Sequence, residues 1–339
     1  MTTTHHDVLI IGGGAAGLSA ATTLARSLRD VLVVDAGEPR NAPAHSAHNL
    51  LGREGINPLE LLTAGRAEAE SYGARIIHER AVSARREGGR FAVGLGSGAT
   101  VTARRLLLAT GLVDELPDVP GLREQWGSRV LHCPYCHGWE VRGRKIGILA
   151  TTPMAVHQAL LFRQLSDRVT VLLHELSGFG PEEAAQLEAI GVRTVPGRVM
   201  GVESVDAAGG VQDTTPEAGI LDGVSDGTGL AVVLEDGTRL DVDALAVGPR
   251  MLARADLYEQ LGGTLSEQPM GRFIETGPLG RTPLEGVWAA GNANDLAAMV
   301  SVAGGAGTMA AAAINADLAE ENARAAVATA HAAGVRGDS

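Results

Sequence analysis

Cysteine is nearly absent from this chain of 339 residues: there are two, Cys133 and Cys136. Two thiols cannot build a disulfide framework, and without a second C-x-x-C they supply half of a zinc site. There is no run of basic residues. The formal net charge is −12, from 28 basic and 40 acidic residues, which argues against nucleic acid or an anionic membrane as partner. No apolar run reaches the length of a transmembrane helix, and the polar Met1–His6 leads directly into a strand. No signal peptide is therefore expected, and the location expected is cytoplasmic. There a lone C-x-x-C reads as catalytic rather than as a staple.

What is present is ordinary for a globular protein: 45% hydrophobic and 20% charged residues. The length exceeds the usual single domain, so two domains with separate cores are expected. The 45 glycines suit backbone that approaches a cofactor or turns tightly.

The two thiols lie in HCPYCHGWE, residues 132–140. Their C-x-x-C spacing lets them close into a small disulfide and reopen. Pro134 restricts the backbone between them, and His132 and His137 place groups that exchange protons near neutral pH on either side. Zinc is the alternative, with His132, His137, His45 or His48 completing the ligand set, but the spacing is only half met. A redox dithiol is the better reading, and no metal site is expected.

The N-terminal stretch, residues 7–37, runs from an apolar strand (Val8–Ile11) into Gly12-x-Gly14-x-x-Gly17, a helix-period segment and a second apolar strand ending at Asp35. This is a dinucleotide-binding fingerprint in its strand–turn–helix setting. Gly12 turns the chain, Gly14 lets a pyrophosphate approach, and Gly17 lets helix and strand pack. Ala15 and Ala16 open the helix whose N–H groups face the phosphates, and Asp35 stands where an acid accepts hydrogen bonds from a ribose. The loop 38–55 is rich in turn formers and should border the reactive end of the dinucleotide, with Asn41, His45, His48 and Asn49 as candidates; the plain alternative is a solvated loop. A helix over 56–72 and strands near 75–83, 91–95 and 100–108 follow. Val82 and the small-residue turn Ala109-Thr110-Gly111 are further candidate cofactor contacts, and 112–121 reads as a linker.

Four motifs in this order, the N-terminal fingerprint, the Ala-Thr-Gly turn, the C-x-x-C and a late Gly-Val-Trp-Ala-Ala-Gly-Asn (286–292), resemble the low-molecular-weight thioredoxin reductase family of FAD flavoproteins. The likeness covers about residues 6–325. It implies an α/β fold of two Rossmann-like dinucleotide-binding domains. Residues 1–116 and 249–325 would form a discontinuous FAD domain, residues 117–248 an inserted NADPH-domain-like unit carrying the C-x-x-C, and 326–339 a tail, of which His331–Ser339 reads as frayed. It also implies flavin contacts from Gly291, Asn292, Met299 and Val300, and a homodimer. The family places Asp where this chain has Asn292.

The inserted unit departs further. The strand–helix–strand rhythm of 145–175 is kept, with strands at Ile146–Leu149 and Val169–Leu173 and a helix around Val156–Leu165. Its turn, however, reads Ala150-Thr151-Thr152-Pro153 without glycines. His174 and Glu175 stand where arginines would hold the phosphate of NADPH, and a carboxylate repels it. Residues 197–229 read as long loops of a hairpin region. Leu230–Leu234 and Arg239–Val247 read as strands joined at Asp236-Gly237, and 299–330 as an Ala-rich helix with a glycine-rich start.

With the nicotinamide site lost, the resemblance points to the dithiol oxidases that close disulfides in natural products of the gliotoxin and holomycin kind. It implies that a small-molecule dithiol attacks Cys133, that Cys136 faces FAD, and that O2 takes the electrons as H2O2; His132 is the favoured base, the alternatives being a structural role for it and a share of the role for His137. The alternatives are a nicotinamide- or ferredoxin-fed reductase of thioredoxin, and a non-catalytic flavin and dithiol redox sensor.

Overall fold

The computed structural model describes residues 4–206 and 228–337, and the chain divides into two compact units. The first comprises Met1–Arg40, Leu59–Val113 and Leu252–Ser339; the second comprises Asn41–Pro58 and Asp114–Met251.

In chain order, β1 (Thr4–Ile11), α1 (Ala15–Arg26) and β2 (Val31–Val34) open the first unit. The apolar run of β1 is buried because parallel neighbours flank it on both sides, β2 and the strand Thr100–Leu108. Next come α2 (Pro58–Ser71), β3 (Arg75–Ile77), β4 (Ala81–Glu87), β5 (Arg90–Leu95) and β6 (Thr100–Leu108). Their sheet runs β3-β2-β1-β6-β5-β4, with β4, β5 and β6 antiparallel. The stretch 112–121 is partly a strand, β7 (Leu112–Glu115), where the sequence suggested a linker.

The second unit continues with β8 (Val130–Leu131), the one-turn helix α3 (Pro134–His137), β9 (Ile146–Leu149), α4 (Ala155–Arg163), β10 (Val169–Leu172), α5 (Pro181–Ala189) and β11 (Arg193–Val195). Then come β12 (Val199–Asp206), β13 (Thr228–Leu234), β14 (Arg239–Val242) and β15 (Ala244–Val247). The parallel sheet β11-β10-β9-β15-β8 keeps the order of a Rossmann unit. β12, β13 and β14 form a separate antiparallel sheet. The loop region expected over 197–229 is therefore in part a paired hairpin; its middle, 207–227, lies outside the described residues. The expected single strand Arg239–Val247 is two, because β14 joins one sheet and β15 the other.

The chain returns through β16 (Arg250–Ala253), α6 (Asp256–Gln260), β17 (Ser266–Gln268), β18 (Gly271–Phe273), β19 (Val287–Ala289) and α7 (Val300–Gly337). β19 adds to β6 in parallel and buries Trp288. Helix α7 packs on α1 so closely that a Cβ on Gly307 would lie 2.0 Å from the Ala16 carbonyl oxygen, which gives Gly307 a packing role. The helix also continues through the stretch expected to be a frayed tail, as far as Gly337. Among the described residues no helix is long and apolar enough to cross a membrane.

Candidate active site

The first glycine turn is built as backbone geometry demands. Gly12 has φ +106°, and a Cβ there would lie 2.2 Å from the Ala109 carbonyl oxygen. A Cβ on Gly17 would lie 1.9 Å from the oxygen of Gly12. Both positions exclude any side chain. Gly14 differs: nothing lies within 4 Å of where its Cβ would be. It is also the N-cap of α1 and provides no side-chain cap. The turn thus offers open space in front of uncapped N–H groups, the form a pyrophosphate needs, and these residues fit FAD.

Asp35 is buried and works on the turn itself. It accepts hydrogen bonds from Gly13 N at 3.1 Å and Gly37 N at 3.3 Å, and pairs with Arg66 at 3.2 Å. The Arg66 partner gives no signal in the sequence. Across the sheet, the Thr110 hydroxyl donates to the Arg254 carbonyl at 2.6 Å, and Gly111 takes φ +70°. Asn292 explains its departure from the family's Asp. Its Nδ2 donates to the carbonyls of Asp295, Ala298 and, at 3.4 Å, Leu296, while its Oδ1 accepts from Arg40. An ionised Asp has no N–H to make the first three. Met299 and Val300 stand half-buried at the start of α7, and Val82 is exposed on β4.

The second turn carries side chains where the first has glycine. The Thr151 hydroxyl donates to the Gly248 carbonyl at 3.0 Å, and the Thr152 hydroxyl accepts from Met154 N at 3.3 Å. Pro153 has no N–H to offer. At the end of β10, His174 adopts φ +54° and its Nδ1 accepts from Val199 N at 3.1 Å. Burial holds its pKa below the ordinary value, against the pull of Glu175. Glu175 is itself paired with Arg198 at 3.2 Å.

The thiols sit on α3. Cys133 is its N-cap and Pro134 its first residue, where a missing N–H costs nothing. One turn brings Cys136 back over Cys133, and their Sγ atoms are 2.7 Å apart, both partly exposed. His132 precedes them directly, and its Nδ1 lies 3.1 Å from the Val247 carbonyl oxygen. A carbonyl only accepts, so Nδ1 carries the proton and Nε2 is the basic nitrogen of the neutral ring. His137 is different. Both its ring nitrogens are buried without a hydrogen-bond partner among the described residues. Burial lowers its pKa, opposed by Glu140 and reinforced by His48.

The loop 41–58 belongs to the same compact unit as the thiols. The Asn49 side chain donates to the Tyr135 carbonyl, between the cysteines, at 2.9 Å. Asn49 itself has φ +61°, a conformation that Asn tolerates. His48 bridges Glu54, at 2.7 Å, and Glu140, at 3.4 Å. Gly127 packs on Pro43, and the Asn41 carbonyl closes a turn with Ala44 N. His45 is exposed. Among the described residues, no three or more His, Cys, Asp or Glu side chains gather as a metal ion requires.

Several known proteins are similar to this chain over most of its length. Thioredoxin reductase tcpT of Claviceps purpurea (strain 20.1) is 34% identical, over 84% of this chain and 86% of its own length. Thioredoxin reductase sirT of Leptosphaeria maculans is 32% identical, over 84% and 86%. The crystal structure of HlmI superposes with a TM-score of 0.85 at 39% identity, covering 97% of this chain and 98% of that one. Residues 6–330 match the model of the pyridine nucleotide-disulphide oxidoreductases. With that match spanning nearly the whole chain, the chain belongs to this family of FAD flavoenzymes.

Proposed function

We propose that the protein is an FAD-dependent dithiol oxidase that closes a disulfide within a small-molecule, natural-product dithiol and reduces O2 to H2O2. The observation that carries this reading is the contrast between the two nucleotide turns: the first is open at Gly14, and the second is occupied by Thr151, Thr152 and Pro153. Electrons then have to enter at sulfur.

A substrate thiolate attacks Cys133 of the oxidised pair; the bond between Cys133 and Cys136 breaks and Cys136 leaves as thiolate. Nε2 of His132 takes the proton of the second substrate thiol. That sulfur attacks its sulfur neighbour, forming the product disulfide and releasing Cys133. The substrate has lost two electrons and two protons. FAD, when bound, supplies the two-electron acceptor that restores the disulfide and passes the electrons to O2. The enzyme acts in the cytoplasm, as a homodimer of the kind the family resemblance implies.

The names of tcpT and sirT favour a second reading, a nicotinamide-fed reductase. Anaerobic titration of the yellow protein separates the two. A small dithiol should bleach the flavin and NADPH should not, with O2 uptake and H2O2 appearing in equal amounts once air is admitted. Bleaching by NADPH at a comparable rate would overturn the proposal, as would full dithiol turnover in Cys133→Ser or Cys136→Ser.

A further inference from the structure

The inserted unit keeps a complete parallel sheet and its α4 helix around a turn that no longer suits a nucleotide. Its side chains reach toward His132 instead. Gln158, buried on α4, donates from Nε2 to the His132 carbonyl oxygen at 2.7 Å. The His132 ring donates to the carbonyl of Val247, the last residue of β15, and the next carbonyl, Gly248, accepts from Thr151 in the altered turn. The segment carrying the histidine is therefore held at its backbone by the former nucleotide helix. Its ring is held by a strand end that the former nucleotide turn anchors.

We infer that Gln158 and Thr151 are positioning residues for His132, so that the turn and helix of the lost nucleotide site have become the mount for the base beside the dithiol. This rests on the reading of His132 as base. Nothing in a phosphate cradle calls for a side chain at position 151 that bonds a neighbouring strand end, or for a buried amide aimed at residue 132. A base needs both of its attachments. The backbone bond fixes the segment that leads into the dithiol, and the ring bond keeps the proton on Nδ1, leaving Nε2 to accept another.

Three variants test this in the holoprotein: Gln158→Met, which keeps the length and loses the donor; Gln158→Glu; and Thr151→Val. Anaerobic stopped-flow reduction by dithiothreitol across pH 5 to 9 gives the limiting rate and the apparent affinity. Gln158→Met should lower the limiting rate by about 10- to 100-fold, the loss expected of a misplaced reacting group, with the apparent affinity unchanged. Thr151→Val should lower it less. Gln158→Glu supplies the hydrogen bond only while protonated, so its rate relative to wild type should climb as the pH falls. That signature would not follow from a merely looser fold. In parallel, imidazole spectra of 15N-histidine protein, with His132 assigned from His132→Asn, should show the Nδ1–H tautomer in wild type and a mixture in Gln158→Met. A wild-type rate and pH profile in Gln158→Met overturns the inference. If dithiothreitol fails to bleach even the wild-type flavin, the functional reading falls on its own. The tautomer spectra then decide: an unchanged Nδ1–H form in Gln158→Met overturns the positioning role, and a mixture supports it.

Discussion

The two strand–turn–helix units share a plan and differ at the turn. In β1–α1–β2 the turn is glycine at every point of contact, and its one open position, Gly14, faces uncapped helix N–H groups. In β9–α4–β10 the same place holds two threonines and a proline that bond within the unit. The strands and cores of both are intact, with β9 and β10 buried as fully as β1 and β2. Ligand recognition in this fold thus resides in a few turn residues, and those can be exchanged without disturbing the sheet.

The largest effect should come from closing the open turn. Gly14→Val puts a side chain into space the protein leaves empty, at a backbone conformation (φ −81°, ψ −173°) that any residue adopts. The purified protein should be folded by circular dichroism and colourless, with FAD absent from the denatured extract. Yellow protein of normal stoichiometry would show that the first turn is not the cradle.

The converse change sharpens the contrast. Opening the second turn with Thr151→Gly and Pro153→Gly together should not admit NADPH, because Glu175 still stands at the end of β10. It should cost about 1–2 kcal/mol of stability through lost backbone restriction and the lost bond to Gly248. Urea unfolding and an anaerobic NADPH titration check the two halves. Rapid bleaching by NADPH in this variant would mean that the turn alone had excluded the coenzyme.

A smaller effect is expected at Asp35, whose carboxylate accepts from the backbone of the first turn. Asp35→Asn keeps an acceptor for Gly13 N–H and removes the charge facing Arg66. A loss of about 1–2 kcal/mol follows, as for a hydrogen bond to a charged group, together with weaker retention of FAD on dilution. Unaltered stability would leave the ion pair without a structural role.

The contrast between the turns was legible in the sequence because it is local. Apolar runs bounded by glycines identify β1, α1 and β2, and the same rhythm without glycines identifies β9, α4 and β10. What joins distant stretches was not legible. Most of the loop 38–55, from Asn41 on, falls in the compact unit that holds the dithiol, with bonds such as Asn49 to Tyr135, and no spacing rule encodes a side chain meeting a carbonyl so far along the chain. Gln158 sits on the buried side of an apolar helix, where periodicity marks burial and is silent about partners. Likewise the glycine-rich start of α7 was legible, whereas the close approach of Gly307 to Ala16 was not.

The last contrast lies between the two histidines flanking the thiols. His132 has a carbonyl for its ring, whereas His137 is buried with none among the described residues and with its pKa below the ordinary 6.5. The unfolded chain takes up a proton at position 137 near pH 6.5, and the folded chain does so only at lower pH. Between those two values the unfolded state binds more protons, so stability is fully present above about pH 6.5 and declines as the pH falls, levelling off below the folded pKa. His174 shifts in the same direction and adds to the slope. His137→Gln should flatten its share, by no more than about 1.4 kcal/mol per pH unit, and urea midpoints at pH 7.5 and 5.5 measure it. If the variant loses as much stability between those pH values as the wild type, burial of a neutral imidazole beside Cys136 is not what makes the fold acid-sensitive.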